Sequence, residues 1–122
     1  MAAQIGHDYR IISELQMSFC REHGSEYVPT PGGSKLGYAL STKGRRPING
    51  LRHPLTGDVN GWFIWCGEEY SEAQDFFAPL HASHLNDDQP EISKLLGLAP
   101  GYRFLLDGDF IDVWHDASLL NV

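Results

Sequence analysis

The 122-residue chain has only two cysteines, Cys20 and Cys66, and they are far apart. That is too few for a disulfide framework, and neither sits in a CxxC pair, so a cysteine zinc site or a thioredoxin-like motif has no support. Two distant cysteines in a cytosolic protein are most often buried free thiols. No apolar run is long enough to cross a bilayer. The first ten residues, MAAQIGHDYR, lack the basic stretch followed by an apolar one that marks a signal peptide. A cytoplasmic protein is expected, with no membrane partner. No GxSxG is present, and no Ser or Cys stands beside a patterned histidine, so nucleophilic catalysis has little support. Gly32-Gly33-Ser34-Lys35 is a fragment of a phosphate loop without the full spacing or a clear preceding strand. Repeats and low-complexity tracts are absent as well.

Basic residues are scarce where acidic ones abound. Residues 1–57 hold seven Lys/Arg and four Asp/Glu, or +3; residues 58–122 hold two and twelve, or −10. The sum is the formal net charge of −7. A nucleic-acid binder needs a basic face, and the C-terminal half offers the reverse. Such a surface attracts a cationic protein; the bland alternative is acid kept for solubility.

What is present describes one domain over residues 1–122, with residues 1–7 frayed. Apolar content of 42% supports a packed core without staples. Residues 8–23 read as a helix with Asp8 as N-cap, an apolar stripe of Ile11, Ile12, Leu15 and Phe19, and Gly24 as its stop. VPTPGGS is a loop, and Leu36–Ser41 a short strand with Leu36, Tyr38 and Leu40 on one face. Thr42–Asn60 reads as a long irregular stretch, with at most a short strand at Ile48–Leu51. It carries Lys43, Arg45, Arg46 and Arg52, expected to be solvated or folded back on the acidic half.

Gly61–Cys66 is the clearest strand, apolar on both faces and therefore central or half-exposed for binding. It runs into a polar exit, and Phe76, Phe77 and Leu80 return to the core. Short helices are expected at His81–Asn86 and, from Pro90, at Glu91–Leu96 before Gly97. Asp107-Gly108-Asp109 joins Tyr102–Leu106 to Phe110–Trp114 as a hairpin. The order predicts an α+β domain: a small, largely antiparallel sheet with an N-terminal helix and short helices packed on one side.

Three groups of residues could carry function. His81 and His84 at i,i+3, with Asp87 and Asp88 close by, have a spacing that metal sites use. No further ligand is placed by the sequence, so a pair of exposed helix histidines is the simpler expectation, with no metal and no cofactor. Paired carboxylates are plentiful, but they fall on turns and exits where they are hydrated, unlike a catalytic pair with one raised pKa. The third group is the segment Asn60–Phe77, where six aromatics meet four carboxylates. The expected partner-binding residues are Glu68, Glu69, Glu72 and Asp75, joined by Asp107, Asp109 and Asp112 if the hairpin lies alongside. Trp65 is the expected anchor on condition that it is exposed.

KLGYAL at Lys35–Leu40, NGWFIWCGEE at Asn60–Glu69, then DFFAPL and HLNDDQPEISKLLGLAPGYRF resemble the paired KVGY and SGW…SGDE pattern of a bacterial immunity-protein family from polymorphic toxin systems. The likeness covers roughly residues 35–115, and Gly61-Trp62 and Gly67-Glu68 are its most specific points. Cys66 stands where the family often has Ser, the final hairpin is longer, and the helix before residue 25 has no clear counterpart. The resemblance implies a non-catalytic antidote that binds and blocks a cognate toxin, with no catalytic residues to transfer. The alternatives are a small metal-dependent enzyme using His81 and His84, and a regulatory interaction domain without a toxin.

Overall fold

A computed structural model describes residues 9–121 of the chain. The elements are α1 (Tyr9–His23), β1 (Lys35–Tyr38), β2 (Ile48–Arg52), β3 (Val59–Cys66), β4 (Ala78–His81), α2 (Ala82–Asp88), β5 (Tyr102–Asp107) and β6 (Phe110–His115). Single-turn or longer 3₁₀ helices occupy Leu40–Thr42, Pro90–Gly97 and Ala117–Leu120. The six strands form one sheet in the order β4-β1-β3-β2-β5-β6. Only β1 and β3 pair in parallel; every other neighbour is antiparallel. The fold is α+β, as the element order predicts. Expectations for Asp8 as N-cap and for residues 1–7 fall outside the described residues.

One face of the sheet packs against α1, α2 and the 3₁₀ helix Pro90–Gly97. Its core holds Phe19, Leu36, Tyr38, Trp62, Ile64, Leu85, Ile92, Leu95, Leu96 and Phe104. Trp62 is buried, and its indole N–H donates to Thr30 Oγ1 and the Leu96 carbonyl, both at 3.1 Å. A buried tryptophan needs such a partner for its one polar atom. Both cysteines are free and buried, and burial pushes the Cys20 thiol up. Burial and the neighbouring Cys66 push the Tyr38 hydroxyl up as well.

Helix α1 ends as the sequence predicts. Gly24 has φ +72°, Ser25 N–H donates to Cys20 O at 2.9 Å, and Gly24 N–H donates to Arg21 O at 3.4 Å. That pair of bonds is the Schellman pattern. The buried face differs from the expected stripe. Gln16, Phe19 and Cys20 are buried, whereas Leu15 is 52% exposed and Ile11 is exposed too. Gln16 turns inward because its amide donates to Ser93 O at 2.9 Å. Gly97, with no Cβ, makes room there: a Cβ on it would lie 2.8 Å from that of Gln16.

Two further expectations are corrected. The strand at Leu36–Ser41 stops at Tyr38; Leu40 is exposed and opens a 3₁₀ turn closed by Thr42, whose hydroxyl donates to Ala39 O. The stretch Thr42–Asn60 is not mainly loop. It contains β2, which lies inside the sheet between β3 and β5. Gly50 is what admits this strand, because a Cβ there would meet the Phe104 ring at 2.3 Å.

Arg52 ends β2 and is fully buried, so it is not one of the solvated loop cations. Its guanidinium donates to the carbonyls of Asn60 (2.9 Å), Val28 (2.8 Å), Leu98 (2.7 Å) and Pro29 (3.2 Å). It also stands 5.4 Å from the centre of the Trp62 ring. Burial lowers its pKa to about 10, which leaves it charged at neutral pH. One cation thus ties the β2 end to the 28–29 loop and to the residue after the 3₁₀ helix.

Candidate partner-binding surface

The opposite face of the sheet carries a second, smaller core. Leu51, Trp65, Ala39 and Leu119 are buried there, with Phe63, Phe76 and Phe77 packed against them. The segment after β3 curls back over this face. Tyr70 and Phe77 meet Trp65 edge-on, with ring centres 5.1 and 6.2 Å away, and Phe76 meets Phe77 at 4.8 Å. Edge-to-face aromatics at such spacings are favourable contacts. Trp65 is therefore only 5% exposed, and the condition for its role as an anchor is not met. The exposed aromatics are others: Tyr70 at 51%, Phe110 at 60% and Trp114 at 39%.

Sheet register brings the expected acidic residues to one end. Ile48 opposes Cys66 on β3 and Leu106 on β5. The Glu68-Glu69 exit and the Asp107–Asp109 turn therefore leave the sheet at the same end, two strand spacings or about 10 Å apart. The basic stretch before β2 lies between them. Arg46 pairs with Asp107 at 3.4 Å and Lys43 with Asp88 at 3.0 Å, both exposed. Arg45 lies along Gly67, where a Cβ would touch its side chain at 3.2 Å. Exposed pairs of this kind contribute about 0–1 kcal/mol, so they moderate the field more than they hold the fold. Glu68, Glu69, Glu72, Asp75, Asp109 and Asp112 are exposed and form no ion pair with a described residue.

The hairpin extends this acid onto the open sheet face. Gly108, at the first central position, has φ +61°, and Asp109 does not share that sign. This is the pattern of a type II′ turn, whose twist suits a two-residue hairpin. Across the hairpin Phe110 opposes Asp107, Asp112 opposes Leu105, and Trp114 opposes Arg103. Alternation therefore sets Phe110, Asp112 and Trp114 in a row on the outer face. Arg103 stacks on Trp114, 5.6 Å from its ring centre, and pairs with Asp116 at 3.4 Å. The Ser118 hydroxyl and N–H, with Arg103 behind them, hold the Asp116 carboxyl below its usual range. That cap is at full strength above the ordinary carboxylate pKa and fades as acid protonates Asp116. It starts the 3₁₀ turn that lays Leu119 on the second core.

His81 and His84 sit at the β4–α2 junction, exposed, with ring centres 5.7 Å apart. Among the described residues no three His, Cys, Asp or Glu side chains converge as metal ligands would. None of the described helices is long and apolar enough to cross a membrane. Sequence reasoning missed Phe110 and Trp114 as exposed contacts. The period-two pattern Phe-x-Asp-x-Trp after a tight turn was the signal that could have found them.

An α+β sheet with one helical face and one open, acid-rimmed face bearing exposed aromatics defines a small domain of the protein-binding kind. The chain belongs to the Imm33-like domain family, an immunity-protein family, whose model matches residues 15–116. The match begins inside α1, so the helix that lacked a counterpart in the motif comparison is partly within the family. No curated protein and no solved structure matches the chain significantly.

Proposed function

We propose that this protein binds and neutralises a cognate toxin, acting by occlusion and not by catalysis. Beyond family membership, one observation carries the reading: two acidic segments distant in sequence meet at one end of the sheet, beside exposed Tyr70, Phe110 and Trp114. A patch of unpaired carboxylates speeds encounter with a cationic protein, and rigid aromatics at its centre supply affinity. The contact residues in this reading are Glu68, Glu69, Glu72, Asp75, Asp109 and Asp112, with Asp107 at the rim, where Arg46 partly neutralises it. The aromatic role assigned by sequence to Trp65 passes to Phe110 and Trp114.

Co-expression with the polypeptide encoded immediately upstream tests this directly. The two chains should purify together and host growth should be restored. Phe110→Ala and Trp114→Ala should each weaken the complex by at least about 2 kcal/mol, with the unfolding midpoint little changed, because both side chains are exposed. Unaltered affinity in both variants, measured by calorimetry, would remove this face from the interface.

A further inference from the structure

The two edges of the sheet are not equivalent. Edge strand β4 carries Pro79, which lacks a backbone donor and hinders strand addition. Edge strand β6, Phe110–His115, has six residues, no proline and no lysine, and it pairs only with β5. Counting from the closing pair Asp107–Phe110, alternate pairs exchange hydrogen bonds across an antiparallel hairpin. Phe110, Asp112 and Trp114 therefore face β5, and the bond from Asp116 N–H to Gly101 O at 2.7 Å continues the same series. Ile111, Val113 and His115 turn their N–H and C=O groups to the open edge. Edges left open in this way are sites where another chain can add a strand.

From this geometry we infer that β6 receives an extended, cationic strand of the toxin, which lengthens the sheet to seven strands. The inference rests on the toxin-binding reading and says which element makes the main-chain contact. Charge selects the occupant. A residue opposite Asp112 on the outer face meets a carboxylate flanked by Phe110 and Trp114, with Asp109 at the turn beside it. A lysine or arginine there, between apolar neighbours, matches all three positions. A second copy of this chain matches less well. In the antiparallel register centred on Asp112, the two Asp112 carboxylates would stand directly opposite one another, which is destabilising.

The test uses the full chain and the polypeptide encoded upstream. Adding that polypeptide should slow hydrogen exchange at the amides of Ile111, Val113 and His115. Val113→Pro removes an edge-facing donor and leaves the β5–β6 bonds in place, so it should weaken the complex by at least about tenfold. If wild type binds but these three amides stay unprotected, strand addition is wrong and toxin binding stands. Exchange on the wild-type chain decides the matter even if Val113→Pro fails to fold. No binding by the wild-type chain sinks both the inference and the reading beneath it. Protection that appears without the added polypeptide and grows with protein concentration would mean self-pairing, and would overturn the proposal.

Discussion

Replacing Arg52 by Met should cost about 4 kcal/mol or more of folding stability. The methionine fills most of the volume, but the carbonyls of Asn60, Val28, Leu98 and Pro29 lose their donor inside the protein. A buried acceptor left unpaired costs about 1–3 kcal/mol, and four are at stake, some of which water can reach after relaxation. For a chain of this size the loss corresponds to a fall in melting temperature of about 15 °C. Arg52→Lys should recover only part of it, because an ammonium offers three donors from one point and a guanidinium five in a fixed fork. Thermal unfolding of the three proteins measures this directly. Equal melting temperatures for wild type and Arg52→Met would mean that the buried cation is a passenger.

Gly61→Ala should be the second most damaging change, at about 3 kcal/mol or more. Gly61 has φ +89°, a conformation that costs about 1–3 kcal/mol for a residue with a side chain. Its Cβ would also sit 2.0 Å from the His53 carbonyl oxygen, which is backbone and cannot swing aside. His53 N–H donates to Gly61 O at 2.8 Å, so relieving the overlap would pull apart the end of the β2–β3 ladder. Denaturant unfolding of Gly61→Ala, with Gly108→Ala as control, gives the comparison. Gly108 also has positive φ but has open space around it, so only its backbone term should appear. An Ala at 61 no worse than one at 108 would contradict the steric account.

Both positions show where sequence patterns carry information and where they do not. The hairpin was legible because its signals are local: a tight turn with glycine at the positive-φ position, and alternation in both arms. The helix end at Gly24 was legible for the same reason. Strand β2 was not. Ile48-Asn-Gly-Leu-Arg carries an Asn-Gly pair that reads as a turn, and it follows a proline. What makes it a central strand is non-local: Phe104 needs the space that Gly50 leaves, and Arg52 meets carbonyls 23 to 46 residues away in sequence. The burial of Gln16 over Leu15 has the same origin, a distant carbonyl at Ser93.

The candidate surface divides in a similar way. Charge asymmetry and the acidic exit could be read directly from the residues. Their grouping could not, because it depends on β2 lying between β3 and β5. Trp65 sits on a strand that is apolar on both faces, and the sequence alone does not say which face stays open. Phe76 and Phe77 return to cover Trp65, and that left the exposed aromatics on β6 instead.

The central claim is that unpaired carboxylates at one end of the sheet recognise a cationic toxin. The most direct measurement compares association rate and affinity for the upstream-encoded polypeptide between wild type and a variant with Glu68, Glu69, Asp109 and Asp112 all changed to Lys. Asp107 is left in place because it pairs with Arg46. The account predicts association slowed by at least about tenfold at low salt and a gap that narrows as salt screens it. Equal rates and affinities at low salt, in a variant that still folds, would contradict it.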